Sequence, residues 1–195
     1  MRRALRDLGW FAALLVALPV LLAPISYAPT GWQQIATEDL TGDSSYVLAI
    51  DSSLYSMYRI YFDRVTTTND NVSVGIDPAG SSATYYVRGA QFDGFSAANV
   101  SNSGTGSISF TSGNLNSDGS ANDGITGVVT LTHLGSVSSS LRGIIEVNFR
   151  DNAGAVRNTV LGLFATSADA PASVTFAPSA STFAGGSLYV EGFIP

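Results

Sequence analysis

The sequence predicts an all-β protein: one antiparallel, jelly-roll-like β-sandwich of about ten short strands, preceded by a hydrophobic, helix-prone segment. Three observations predict it. First, Arg142–Arg150 alternates with period two. Gly143, Ile145, Val147 and Phe149 fall on one face, and Arg142, Glu146, Asn148 and Arg150 on the other, with only Ile144 out of pattern. Successive side chains of a strand point to opposite sides of a sheet, so this alternation marks a half-buried strand. Second, short apolar segments recur between glycine-rich or serine-rich turns, and no convincing amphipathic helix follows residue 30. Third, charged residues make up only 12% of the chain, about half the usual share. Ser, Thr, Asn and Gly take their place, which suits a β protein with a neutral surface.

The N-terminus stands apart. Met1–Asp7 is basic, with Arg2, Arg3 and Arg6, and Leu8–Ile25 is a run of eighteen residues without a charge. The run fits three readings. It is the h-region of a signal peptide, with Ser26-Tyr27-Ala28 as a passable cleavage site, although Pro29 is a poor neighbour for a signal peptidase. It is a membrane anchor, since about 18–20 apolar residues span the hydrocarbon and the arginines would stay cytoplasmic, although Pro19 and Pro24 would kink a helix. Or it is an assembly tail buried among subunits. Residues 1–30 therefore form one unit and 31–195 the β domain, with Ala28–Asp43 as a connector carrying Trp32.

The strands then follow quickly. Tyr46–Ile50 is one. Tyr58–Val65 sets Tyr58, Ile60 and Phe62 against Arg59, Tyr61 and Asp63, and Asn71–Ile76 turns Val72, Val74 and Ile76 inward. Asp77-Pro78-Ala79-Gly80 is a turn set by proline and glycine. Ala83–Ala90 carries Tyr85, Tyr86 and Val87, and Ser107–Thr111 pairs Ile108 with Phe110. Ser112–Asp123 is a loop. Ile125–Thr132 and Arg142–Arg150 form a central pair joined through the polar Gly135–Ser140. Ala155–Phe164, Ser173–Phe176 and Gly186–Ile194 complete the set. There is no internal repeat.

Residue chemistry excludes several functions. There is no cysteine, hence no disulfide, thiolate metal site or cysteine nucleophile. Beyond residue 7, six arginines and no lysine face fourteen acids, an acidic balance that argues against nucleic acid as a partner. His133 is the one histidine; with no second His, no Cys and no GxSxG elbow, it reads as structural or exposed. Asn114, Asn116, Asp118, Asn122 and Asp123 make an oxygen-rich loop. It lacks the closing glutamate of a calcium loop and reads as a flexible turn. Asp51, Asp63, Asp77, Asp93, Glu146, Asp151 and Glu191 are scattered singly, and the adjacent Glu38-Asp39 sits near the connector, so no carboxylate pair about a cleft is legible. Tyr55, Tyr58, Tyr61, Tyr85 and Tyr86 offer either core and interface packing, the default for good strand residues, or a sugar-stacking platform. Asn71-Val72-Ser73 and Asn99-Val100-Ser101 match the glycosylation pattern, which means little in a bacterial or viral setting. The expectation is no catalytic residue, no metal ligand and no cofactor.

Several segments together resemble a family, the virion β-sandwich proteins of tailed bacteriophages and prophages. These are head or tail fibre, spike or decoration domains. Trp32 and Ile35 open the domain. Asp51–Val65 (DSSLYSMYRIYFDRV) resembles the family's loop and tyrosine-led strand, and Gly124–Ser136 (GITGVVTLTHLGS) its glycine-marked strand opening the second half. The ending Ser181–Ile194 (STFAGGSLYVEGFI) is the strongest likeness. The resemblance covers about Trp32–Ile194, and the greasy Met1–Ile25 departs from it. It implies a non-enzymatic virion protein acting in assembly and in surface display or attachment. It also implies a homo-oligomer, a trimer favoured, that contacts other virion proteins, with a host-surface glycan as a further candidate partner; no catalytic residue is carried over. The other reading is an exported bacterial binding module, secreted or membrane-anchored through residues 8–25, that recognises a glycan or surface partner.

Overall fold

A computed structural model describes residues 30–69, 72–77, 84–93, 96–104, 108–109, 111, 124–132, 141–151, 153–166 and 172–195. The expectations placed on Met1–Pro29, Asn71, Pro78–Gly80, the Asn114–Asp123 loop, His133 and Gly135–Ser140 lie outside these residues.

The described chain is all-β. Twelve strands follow in order: β1 (Gly31–Asp39), β2 (Tyr46–Ala49), β3 (Met57–Thr67), β4 (Val74–Asp77), β5 (Thr84–Asp93), β6 (Ser96–Gly104), β7 (Ile108–Ser109), β8 (Ile125–Thr132), β9 (Leu141–Arg150), β10 (Val156–Thr166), β11 (Ser173–Pro178) and β12 (Phe183–Ile194). They form an eight-stranded sheet in the order β1-β12-β3-β8-β9-β10-β5-β6 and a four-stranded sheet in the order β2-β11-β4-β7. Every pairing is antiparallel.

The predicted pair β8 and β9 lies at the middle of the large sheet. β9 buries Gly143, Ile145, Val147 and Phe149, while Ile144 is 53% exposed, as its break in the pattern implied. Both sheets contribute to one core. Ile60, Phe62, Val129, Ile145 and Val190 of the large sheet share it with Leu48, Val74, Ile76, Val174 and Phe176 of the small one. Phe62 and Phe176 meet edge to face across it, centroids 5.4 Å apart. Such ring pairs add about 0.5–1.5 kcal/mol beyond their buried area.

Two strands were missed by the sequence pattern, and both are edges of the large sheet. Gly31–Asp39, expected to be connector, is β1 and pairs with the C-terminal strand from Gly31 opposite Ile194 to Asp39 opposite Ser187. Its burial does not alternate, because a bulge between Gln34 and Ala36 breaks the period. Ser96–Gly104 is β6, a hairpin partner of β5. Its small polar residues carry no periodic apolar signal, so only pairing with β5 identifies it as a strand. Within the expected Ser107–Thr111 strand, Ile108–Ser109 are β7. Val72, Val74 and Ile76 are buried as expected, and β4, Val74–Asp77, takes in the Asp77 placed in the turn.

β3 and β12 outrun their predicted ends for one shared reason. Along β3 the buried positions are Tyr58, Ile60 and Phe62, then Val65 and Thr67. Along β12 they are Phe183, then Leu188, Val190 and Gly192. The inward face thus changes from even to odd positions in one strand and from odd to even in the other. The changes fall at Arg64, with φ +50°, and at Gly186, with φ +96°, where the register of the two paired strands also shifts. An extra residue in a strand resets its period, so an alternation pattern stops there although the strand continues.

Candidate binding face on the eight-stranded sheet

The face of the large sheet turned away from the core carries the side chains left for function. Register places them in rows. One row runs Trp32, Phe193, Met57, Thr132, Arg142, Phe164 and Tyr86 from β1 to β5. The next row runs Glu191, Arg59, Thr130, Ile144, Gly162 and Arg88.

Two clusters stand on this face. Near β1, the Trp32 and Phe193 rings lie 5.3 Å apart, and the Arg59 guanidinium sits 3.9 Å from the Trp32 ring centroid. Beside them the tilted rings of Tyr61 and Tyr189 lie 5.6 Å apart, and both hydroxyls donate to Glu191, at 3.2 and 3.3 Å. These groups satisfy one another.

The second cluster, on β9, β10 and β5, is more open. Tyr86 and Phe164, 41% and 36% exposed, are cross-strand partners with centroids 6.3 Å apart. The Arg142 guanidinium lies 5.8 Å from the Phe164 centroid. Tyr86, Arg88, Arg142, Gly162 and Phe164 line a cleft of about 410 Å³. Its floor is Gly162, whose missing side chain leaves a gap in the second row. A smaller hollow of about 150 Å³ lies between Thr126, Asn148, Arg150 and Val156.

The described tyrosines do not share one surface, as a sugar-stacking platform would need. Tyr58 is 1% exposed and belongs to the core, where its hydroxyl accepts the Asp51 N–H at 2.8 Å. Tyr55 packs edge to face on Tyr58, at 5.5 Å, and over Gly192. Tyr61 faces outward among the first cluster and Tyr86 stands in the second. The side chain of Tyr85 lies outside the described residues.

The acids serve local structure. Asp51 accepts from the Ser53 hydroxyl at 2.6 Å and from the Ser53 and Leu54 N–H groups, and the Ser53 hydroxyl does most to hold its pKa below the ordinary value. Thr41 acts likewise on Asp39, through its hydroxyl and its N–H. Asp93 accepts from the Ser96 hydroxyl and N–H and from Arg157, and its pKa is lowered by these, the Ser96 hydroxyl foremost. For Asp151, burial pushes the pKa up, but hydrogen bonds from Arg157, Ala155 and Ala153, together with the Arg157 charge, outweigh it and hold the pKa below the ordinary value. Asp63 lies 3.4 Å from Arg64 on the exposed surface. Glu146 is exposed on the outward face of β9. Among the described residues no three of His, Cys, Asp and Glu are grouped so that they could hold a metal ion.

The Arg88–Arg142–Phe164 grouping was not legible in the sequence. Arg142 was assigned outward on its strand, but its neighbours come from segments about 20 and 55 residues away along the chain, and only the order β9-β10-β5 brings them together. Comparisons with family models, curated proteins and solved structures give no match to this chain.

Proposed function

We propose that the chain is a non-enzymatic structural protein of a virion, a head or tail fibre, spike or decoration component, working by self-assembly and surface display. The two sheets are taken as a β-sandwich, a reading supported by their shared core. The virion assignment is supported by the resemblance over Trp32–Ile194. In it, Met1–Ile25 serves as an attachment tail packed against other subunits.

The observation that carries the assembly reading is the contrast between the two edges of the large sheet. β1 is guarded: a bulge interrupts it at Gln34/Ala36, and it ends in Glu38-Asp39. β6 is not guarded. Its nine residues pair with β5 without a register break and include no charge, no proline and no bulge. Edges of stable monomers are usually blunted by such devices, because an open edge recruits further strands. An unguarded edge suits a chain whose neighbour in the assembly is another copy, and closed cyclic symmetry is the common outcome.

The uncharged run Leu8–Ile25 favours a second reading, an exported or anchored binding module. Intact-mass analysis of the native protein separates the two. An unprocessed Met1 in a purified particle, with capsid or tail proteins beside it, is the expected result. A mature start near Pro29 in a cell envelope or medium fraction overturns the virion assignment.

A further inference from the structure

We propose that the cleft between Tyr86, Arg88, Arg142 and Phe164 binds an acidic sugar, a pyranose ring bearing a carboxylate. This goes beyond the assembly reading and does not depend on it. Four observations carry the proposal.

The first is the glycine on its floor. At Gly89, Gly124, Gly127, Gly143 and Gly186 a Cβ would come within 2.8 Å of a neighbouring backbone atom, so packing requires glycine there. At Gly162 a Cβ would meet only the Arg88 carbonyl oxygen, at 3.6 Å, an ordinary contact. Glycine weakens the interior of a strand, and here the local packing does not demand it. What the missing side chain does is keep the cleft open.

The second is charge. The whole chain carries a formal charge of −6, yet the cleft is lined by two guanidinium groups and no carboxylate. Elsewhere on the fold Arg157 is paired with Asp93 and Asp151, and Arg64 with Asp63. Among the described residues no ion pair joins Arg88 or Arg142 to an acid. Arginine forks match a carboxylate in two-point geometry.

The third is the pair of rings. Tyr86 and Phe164 are neighbouring rings, centroids 6.3 Å apart and inclined at 42°, and both are partly exposed, so side by side they offer an aromatic surface that can receive the C–H face of a sugar. The fourth is size: about 410 Å³ lies within the range of about 300–1,000 Å³ usual for small-ligand sites. An inorganic anion such as phosphate would leave the two rings unused, and a neutral sugar would leave the positive charge of the guanidinium groups unmatched.

The test is titration calorimetry of the full-length protein with tetragalacturonate, glucuronate oligomers and sialyllactose, each against its carboxyl-reduced neutral counterpart. At least one carboxylated sugar is expected to bind about tenfold or more tightly than its neutral counterpart, a difference of one good charged contact. Gly162→Leu, which fills the cleft, and Arg142→Gln are each expected to weaken that binding about tenfold or more. Neither should change the melting temperature by more than a few degrees or alter the oligomer mass. Absence of binding by every carboxylated sugar at millimolar concentration overturns the proposal. So does equal binding of acid and neutral forms, or binding unaffected by Gly162→Leu. Because the oligomer mass is read separately, loss of assembly and loss of sugar binding are distinguished.

Discussion

Gly186 of β12 lies so close to Arg64 of β3 that a Cβ on the glycine would stand 2.5 Å from the Arg64 carbonyl oxygen and 2.5 Å from the Val65 Cα. Gly124, just before β8, closes on Arg64 from the other side, where a Cβ on the glycine would stand 2.4 Å from the Arg64 carbonyl carbon. Arg64 itself has φ +50°. The bulge that reverses the inward face of β3 is thus clamped between two glycines on neighbouring strands. Since the reversal carries Val65 and Thr67 into the interior, the clamp also fixes which residues complete that end of the core.

Substitution at this clamp has a signed outcome. Gly186→Ala introduces both a collision with backbone and a side chain at positive φ, and should cost about 3 kcal/mol. Arg64→Val, which sets a β-branched residue at positive φ, should cost about 2 kcal/mol, whereas Arg64→Gly should stay within about 1 kcal/mol of the parent. Equilibrium denaturation of the three variants checks the order. Equal losses for Arg64→Val and Arg64→Gly would contradict the strained backbone.

Arg157 ties two turns together. Its Nε donates to Asp151 Oδ2 at 2.8 Å, and its second terminal nitrogen lies 2.7 Å from the same oxygen. Its first terminal nitrogen reaches Asp93 Oδ2 at 2.9 Å. Asp151, 8% exposed, also accepts the Ala153 and Ala155 N–H groups at 3.0 and 2.9 Å. Asp151→Ala leaves those donors short of an acceptor and should cost about 2 kcal/mol. Arg157→Lys should not restore parental stability, because an ammonium cannot reproduce a planar fork serving two carboxylates. A melting temperature for Arg157→Lys equal to the parent's would refute the fork argument.

The pH dependence follows from the same groups. Asp39, Asp51, Asp93 and Asp151 all have pKa values held below the ordinary 3.8. A carboxyl group whose pKa is lower when folded stabilises the fold fully above its unfolded value, and that contribution is lost as pH falls through the folded value. Burial, the largest influence on each, raises the pKa of Tyr46 and of Tyr58 above the ordinary 10.0. Their contribution is present below the unfolded value and is lost as pH rises through the folded one. Melting temperature should therefore hold level between about pH 5 and 9 and fall outside that window. Asp151→Asn should flatten the acid limb; an unchanged limb would remove Asp151 from the account.

The open edge predicts a change of assembly without a change of fold. Ala97 and Asn99 are exposed on β6, opposite Phe92 and Ala90. Ala97→Lys combined with Asn99→Lys places two charges on that edge and should reduce the proposed oligomer to its 20.2 kDa chain, as lysines on natural edge strands prevent pairing. Light scattering after size-exclusion reads the mass, and circular dichroism the fold. An oligomer that survives both lysines does not use this edge.

The amino-acid sequence by itself determined the all-β class, the central strand pair and the faces of the inner strands. Tyr58, Ile60 and Phe62 of β3, and the alternating residues of β9, are buried as their period required, because a half-buried strand cannot hide apolar side chains on both faces. Tertiary structure decided the rest. β1 and β6 exist as strands because β12 and β5 offer them hydrogen bonds, and a neighbour's open edge leaves no mark on the borrowed segment's own composition. The bulges at Arg64 and Gly186 reset the period where another strand passes within van der Waals contact, which neither segment records alone. The cleft over Gly162 likewise depends on strand order, since Arg142, Phe164 and Tyr86 become neighbours only when three distant segments are laid side by side.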